Sequence, residues 1–98
     1  MPDTPPVAPP APPVVTLVHA PACHFCDDAE RALAELSAQI PLEVRTVGID
    51  TDEGRAIVAE HRPALNPLVL LDGRYFSAGR LPRRKLAHAL QARALPTA

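Results

Sequence analysis

Proline limits what this chain can fold into more than any other residue type. Thirteen of its 98 residues are proline, and each one fixes its own φ and removes a backbone donor. Pro2, Pro5, Pro6, Pro9, Pro10, Pro12 and Pro13 crowd the first stretch of the sequence. Residues 1–13 therefore cannot enter a helix or the interior of a sheet, and an extended, solvated, polyproline-like tail is expected there. The stretch lacks the basic n-region and uninterrupted apolar run of a secretory signal. Pro21, Pro41, Pro63, Pro67, Pro82 and Pro96 fall between periodic segments and mark where each must stop or start.

Between these breaks the apolar pattern switches between strand and helix. Val14-Val15-Thr16-Leu17-Val18 is a β-branched apolar run that reads as a buried strand, broken by Ala20-Pro21-Ala22. From Cys23 the apolar residues Ala29, Leu33, Leu36 and Ile40 recur at helical spacing. Asp27, Asp28 and Glu30 sit in the first turns, where acidic groups complement the helix N-terminus, and Pro41 is expected to end the helix. Leu42 to Val47 alternates like a second strand. Asp50-Thr51-Asp52 offers an N-cap, and Glu53 to His61 reads as a short helix with Ile57 and Val58 inward. Gly54 weakens that helix by roughly 1 kcal/mol relative to Ala, and Pro63 stops it. Leu68-Val69-Leu70-Leu71 reads as a buried strand, Asp72-Gly73 as a hairpin turn and Arg74 to Ser77 as the returning strand. Pro82 is expected at the first position of a last helix, with Leu86, Leu90 and the stem of Arg93 inward.

The resulting order is β-α-β-α-β-β-α: an α/β domain over residues 14–95 with a mixed four-stranded sheet flanked by three helices. Right-handed crossovers are expected to make the first three strands parallel neighbours. A domain this small buries only roughly 60% of its unfolded surface. With aromatic residues limited to Phe25, Tyr75 and Phe76, its core must be aliphatic. A net charge of −1 argues against a nucleic-acid binder. No segment approaches the length of a membrane span. A cytoplasmic monomer is expected.

The only cysteines are Cys23 and Cys26. The loop they close is too short to staple a fold, so they point to redox chemistry or to part of a metal site. Their place, where the first strand gives way to the first helix, favours redox chemistry. Cys23 at the helix N-terminus meets unpaired N–H groups and the positive end of the macrodipole. Both lower the thiol pKa and supply the nucleophilic thiolate. Cys26 lies one turn further in, within disulfide reach, and is placed to resolve a mixed disulfide. His24, as a cation or as a hydrogen-bond donor, would stabilise that thiolate; equally, it reads as a solvent-exposed residue without effect. A zinc site would draw on Cys23, Cys26 and His19 or His24, but a closed site needs four ligands. Inert buried thiols are a further alternative. Asn66-Pro67 reads either as an ordinary strand opening or, if its bond is cis, as a deliberate sharp turn of the chain. Arg80, Arg83, Arg84 and Lys85 read either as a solvated face or as a patch for an anion or acidic partner. His61 and His88 read as surface positions.

The segment from Thr16 to Leu90 resembles the glutaredoxin-like branch of the thioredoxin superfamily. The likeness rests on Ala20-Pro21-Ala22-Cys23-His24-Phe25-Cys26-Asp27-Asp28-Ala29, Val47-Gly48-Ile49-Asp50, Asn66-Pro67-Leu68-Val69-Leu70-Leu71-Asp72-Gly73 and Gly79-Arg80-Leu81. It is closest to small glutaredoxin-like proteins with a Cys-His-x-Cys-Asp motif. The resemblance implies a thioredoxin-like fold, Cys23 as nucleophile, Cys26 as resolving thiol and no cofactor. It implies a cis Pro67 facing the cysteines, with the Asn66 backbone pairing with substrate and the Gly79-Arg80 loop alongside. His24 and Phe25 complete the expected substrate contacts. Three departures concern glutathione. Ala20 stands where a basic residue is usual, Leu65-Asn66 replace Thr-Val, and Ala78-Gly79-Arg80-Leu81-Pro82 replaces a Gly-Gly turn with its acidic or capping residue. The expected partners are therefore disulfide-containing proteins as substrates, with a low-molecular-weight thiol or a flavoprotein reductase as electron donor. The competing function is a thioredoxin-like interaction module with little turnover, docking through the Pro67 face or the tail. Pro2-x-x-Pro5 and Pro6-x-x-Pro9 in that tail match the bare P-x-x-P spacing.

Overall fold

The computed structural model describes residues 11–94. The expected order is observed: β1 (Val14–His19), α1 (His24–Ser37), β2 (Glu43–Gly48), α2 (Asp52–His61), β3 (Leu68–Leu71), β4 (Arg74–Ala78) and α3 (Arg83–Ala94). The strands form one mixed sheet in the order β2-β1-β3-β4. The expectations for residues 1–10 and for Pro96 lie outside the described residues. Pro13 departs from the expected solvated tail. It is buried, and its carbonyl accepts the Glu43 N–H at 2.9 Å. A proline lacks only the donor, so one placed just before a strand can still extend the ladder through its oxygen.

β1 is central and buried on both faces, which accounts for its continuous apolar run. Val15 and Leu17 face α1 and α3, packing with Ala29, Leu33, Leu86 and Leu90. Val18 faces the other way and joins Val47, Leu68 and Leu70 beneath Ile57 and Val58 of α2. Burial of each such side chain contributes on the order of 2 kcal/mol.

The expectation of three parallel neighbours fails at β3. β1 and β2 are parallel, from Val14 opposite Glu43 to His19 opposite Gly48. β3 instead runs antiparallel to β1, with Leu71 opposite Val15 and Leu68 opposite Val18. The cause is the path of α2. Its ten residues rise about 15 Å, close to three interstrand spacings of roughly 4.8 Å. Its first turn rests on β2, where Gly54 lies against Gly48. Its last residue, His61, stands beside Tyr75 of β4, ring centroids 6.3 Å apart. The helix thus crosses the sheet instead of running back along it, and the chain re-enters the sheet at the end it left. The parallel crossover rule applies only to a helix that returns to the starting end.

Two smaller boundaries and one side chain also depart from expectation. α1 stops at Ser37, before Pro41, because the Gln39 and Ile40 amides both fold back on the Leu36 carbonyl (3.0 and 2.7 Å); Ile40 packs on the core from this turn. α3 starts at Arg83, and Pro82 precedes it as the acceptor for the Leu86 N–H at 3.0 Å. Arg93 is exposed rather than inward-facing. Its Nε donates to Asp72 Oδ2 at 2.9 Å.

The hairpin turn behaves as expected, with Asp72 (φ 50°) and Gly73 (φ 81°) both left-handed, the conformation of a type I′ turn. Asp72 does more than turn the chain. Its Oδ1 also accepts the Val14 N–H at 3.0 Å, so one carboxylate joins β1, the hairpin and α3.

Two substitutions test this framework in urea denaturation. Gly54→Ala is expected to cost about 2–3 kcal/mol or more, because the new Cβ would overlap the Gly48 carbonyl oxygen and stand 3.1 Å from the Cα of Ile49. Asp72→Ala is expected to cost about 2 kcal/mol, from the lost hydrogen bonds and a non-glycine left-handed position. Asp72→Asn, which tolerates that conformation and keeps an acceptor for Val14, should cost about 1 kcal/mol or less.

Candidate active site

β1 ends at His19, and a turn through Pro21 and Ala22 delivers the chain into α1. Ala22 is left-handed, with φ 52°. Cys23 then takes the N-cap position of α1 with extended backbone. Its carbonyl accepts the Asp27 N–H at 3.1 Å. Its sulfur accepts the Cys26 N–H at 3.1 Å, which satisfies one of the orphan donors of the first turn. A thiolate in this position receives a charge-assisted hydrogen bond together with the favourable end of the helix dipole.

Cys23 and Cys26 are joined as a disulfide, with Cα atoms 5.2 Å apart. The two sulfurs have different surroundings. Cys26 is 3% exposed, and its Sγ accepts the Ala20 N–H at 3.5 Å. Cys23 is only half-buried. The member nearer the helix N-terminus is thus also the one a partner can reach.

The antiparallel register of β3 brings further expected residues to this end. Leu68 lies opposite Val18, so Pro67 stands beside the end of β1 that leads to Ala20 and the cysteines. The Asn66-Pro67 bond is cis, as the resemblance implies. Pro67 is fully buried and Asn66 exposed. The Pro67 carbonyl accepts the Gly79 N–H at 3.0 Å, which holds the Gly79-Arg80 loop at the same end. Arg80 and His24 are exposed, and Phe25 is 46% exposed.

Leu65, legible in the sequence only as part of the Leu65-Asn66 departure, belongs with these residues as a surface group. It is 59% exposed and sits over Gly79, where any added Cβ would approach it to 3.0 Å. A lone apolar residue in a loop between two prolines was the available signal. Gly79 is left-handed at φ 88°, so glycine serves there for both conformation and space.

The basic cluster divides in the structure. Arg83 donates to Asp28 Oδ1 at 2.7 Å and to Glu35 Oε2 at 3.4 Å, clasping α3 to α1. Lys85 lies over the Phe76 ring, 5.4 Å from its centroid. Arg80 and Arg84 are exposed. His19 stands near Gly48, where a Cβ would come within 3.9 Å of its Nε2. Among the described residues, no three His, Cys, Asp or Glu side chains gather in a group able to hold a metal ion. No helix among them is long and apolar enough to cross a membrane.

A β2-β1-β3-β4 sheet with helices on both faces, and a redox-capable cysteine pair where β1 meets α1, defines a thioredoxin-like fold carrying a dithiol–disulfide centre. Solved structures agree on the fold. The chain is similar to a point mutant of thioredoxin from Halobacterium salinarum NRC-1, with a TM-score of 0.66 at 18% identity over 89% of this chain and 79% of that one. It is similar to Trxlp from Edwardsiella tarda EIB202, with a TM-score of 0.56 at 28% identity over 84% of each chain. It is also similar to thioredoxin O2 from Arabidopsis thaliana in the oxidized state, with a TM-score of 0.63 at 17% identity over 84% of this chain and 75% of that one. No family model and no curated protein sequence matches it.

The unequal surroundings of the two sulfurs lead to a direct expectation. After reduction, iodoacetamide should label Cys23 at least about tenfold faster than Cys26 near neutral pH, because reactivity follows thiolate fraction and access. Peptide mapping of protein quenched at short times reads the ratio.

Proposed function

We propose that this protein is a glutaredoxin-like thiol–disulfide oxidoreductase that reduces protein disulfides or mixed disulfides. The observation that carries the reading is the position of Cys23: it caps α1 with the Cys26 amide on its sulfur, and it is the more exposed of the pair.

In the reduced protein the Cys23 thiolate attacks one sulfur of a substrate disulfide. A Cys23–substrate disulfide forms, and the other substrate sulfur leaves as a thiolate. Cys26 then gives up its proton and attacks Cys23 Sγ. The mixed disulfide breaks, the second substrate sulfur leaves, and the Cys23–Cys26 disulfide closes. Two electrons pass from the protein to the substrate; Cys26 gives up one proton, and solvent supplies the other to the leaving thiolates. A low-molecular-weight thiol or a flavoprotein reductase returns the electrons. A cytoplasmic setting suits this direction, since thiol pools there keep such pairs reduced.

The substrate contacts follow from the residues gathered at this end. The exposed Asn66 backbone, beside the buried Pro67, offers polar groups to an extended substrate chain. Phe25 and Leu65 offer exposed apolar surface. His24, Gly79 and Arg80 complete the rim. The glutaredoxin-like assignment is supported by Cys23-His24-Phe25-Cys26-Asp27 and Gly79-Arg80-Leu81. Ala20 and Leu65-Asn66 set it apart from glutathione users, so the donor is a different thiol or a reductase.

Two variants test the assignment of roles. Cys26→Ser should accumulate a mixed disulfide with a peptide disulfide substrate, visible by mass, and lose turnover. Cys23→Ser should form none. A mixed disulfide through Cys26 in the second variant would reverse the roles. Reoxidation of the reduced wild type by glutathione disulfide should be no faster than that of an unstructured dithiol peptide. Fast reoxidation would identify glutathione as the partner after all.

A further inference from the structure

β2 forms one edge of the sheet, and it differs from the opposite edge. β4 has a register irregularity between Val69 and Leu70 of its neighbour and arginines at Arg74 and just beyond its end at Arg80. Both devices discourage pairing at an edge. β2 is regular over all six of its residues. It has no proline, and Glu43, Val44, Arg45 and Thr46 are consecutively exposed.

The direction of its free hydrogen-bonding groups follows from the ladder with β1. Glu43 and Ile49 point their amides inward, to the carbonyls of Pro13 and His19. In a parallel ladder the inward residues alternate with outward ones. Leu42, Val44 and Thr46 therefore present their N–H and C=O groups to the open edge. Among the described residues, nothing accepts from or donates to them.

We propose that β2 pairs antiparallel with β2 of a second copy of this chain, about a two-fold axis passing beside Val44. Only outward residues can form the doubly hydrogen-bonded pairs of an antiparallel ladder. Centring on Val44 pairs it with the partner's Val44 and sets Leu42 against the partner's Thr46. The intervening residues then fall opposite one another in the closer, non-hydrogen-bonded sites. Glu43 meets the partner's Arg45, and Arg45 meets the partner's Glu43, on the same face. Arg45 also donates to Glu53 Oε1 of α2 at 2.7 Å within its own chain, and the partner's Glu43 joins as a second carboxylate on the same guanidinium, so the charges of the two β2 strands are complementary in this register. Centring on Thr46 instead sets Arg45 against the partner's Val47 and loses the match.

A second copy fits better than the chain's own tail, because five of residues 1–10 are proline and lack the donor a ladder needs. The interface is isologous and closes after two copies, as a two-fold interface must. Its area is that of one short strand pair, which makes it a concentration-dependent dimer at the small end of specific interfaces. This revises the expectation of a monomer. The continuous sheet runs β4-β3-β1-β2 into the partner's β2-β1-β3-β4. Because the pairing is antiparallel, the two cysteine pairs lie at opposite ends and both remain open. The proposal is independent of the redox assignment.

Sedimentation velocity over a concentration series tests it. The wild type should shift from monomer to dimer. Glu43→Arg and Arg45→Glu should each weaken association by about tenfold or more, since each sets like charges opposite one another twice. An equimolar mixture of the two single variants should regain it as a heterodimer, because the remaining charges are then complementary across the axis. Val44→Pro should abolish association while preserving the fold, because the amide it removes points to the open edge. Disulfide reduction by Val44→Pro should match the wild type. A wild type that stays monomeric at every concentration, a Val44→Pro protein that folds and still dimerises, or single variants that associate as well alone as mixed would each overturn the proposal.

Discussion

Helix α2 lies flat on the sheet because Gly54 lets its backbone settle against that of Gly48, and the arrangement of the cysteine end depends on that approach. With a side chain at position 54 the first turn of α2 must lift off β2. As it stands, the helix spans the sheet from β2 toward β4, and the chain turns back through Arg62, left-handed at φ 46°, and Pro63. It therefore begins β3 at the end where β1 finished. Had α2 run back along β2, β3 would have started at the far end of the sheet. Asn66 and Pro67 would then lie a full strand length from the cysteines. The same glycine that weakens an isolated helix thus sets the direction of a strand and places a loop of the site.

Much of this was legible in the sequence because it depends on neighbours in the chain. β3 spans Leu68–Leu71 as read, Thr51 caps α2 as its side-chain oxygen accepts the Gly54 N–H at 3.0 Å, and Asp72-Gly73 turns the hairpin. The place of the cysteine pair follows from the change of period at Cys23. The direction of β3 was not legible, because it depends on whether a ten-residue helix lies along the sheet or across it. That choice is made by a backbone contact between Gly48 and Gly54, which no periodicity records. The stop of α1 at Ser37 was hidden similarly, since Leu36 and Ile40 keep helical spacing although the chain has already turned. In the site, the cysteines stood out by residue type and Pro67 by the resemblance, whereas Leu65 acquires its meaning only from its contact with Gly79.

The charged residues show why composition understates organisation. Arg83 looked like one member of a basic run, yet it is neutralised by Asp28 and Glu35 and joins two helices. Exposed pairs of this kind contribute at most about 1 kcal/mol each, so the clasp fixes orientation more than it adds stability. Asp72 acts similarly at the other end of the sheet, tying Val14 and Arg93 to the hairpin. The two clasps hold α3 near its first and last turns, while Leu86 and Leu90 supply the buried area between them.

The chemistry at the cysteines rests on an asymmetry in which several effects agree. The Cys26 amide stabilises negative charge on Cys23 by about 1.5–3 kcal/mol, the range for a hydrogen bond to a charged group, and the helix dipole adds up to about 1 kcal/mol. Asp27 opposes both, but it is exposed to solvent, where water and salt screen its charge. Cys26 has its own amide partner in Ala20, at the longer distance of 3.5 Å, and is buried, which disfavours its thiolate. Charge therefore favours Cys23 and burial penalises Cys26, so both effects order the sulfurs the same way. The sulfur these effects favour for the charge is the more exposed one, and the other is buried within disulfide reach of it. The proposed order, attack by Cys23 and resolution by Cys26, rests on the N-cap geometry and the burial of the first turn of α1.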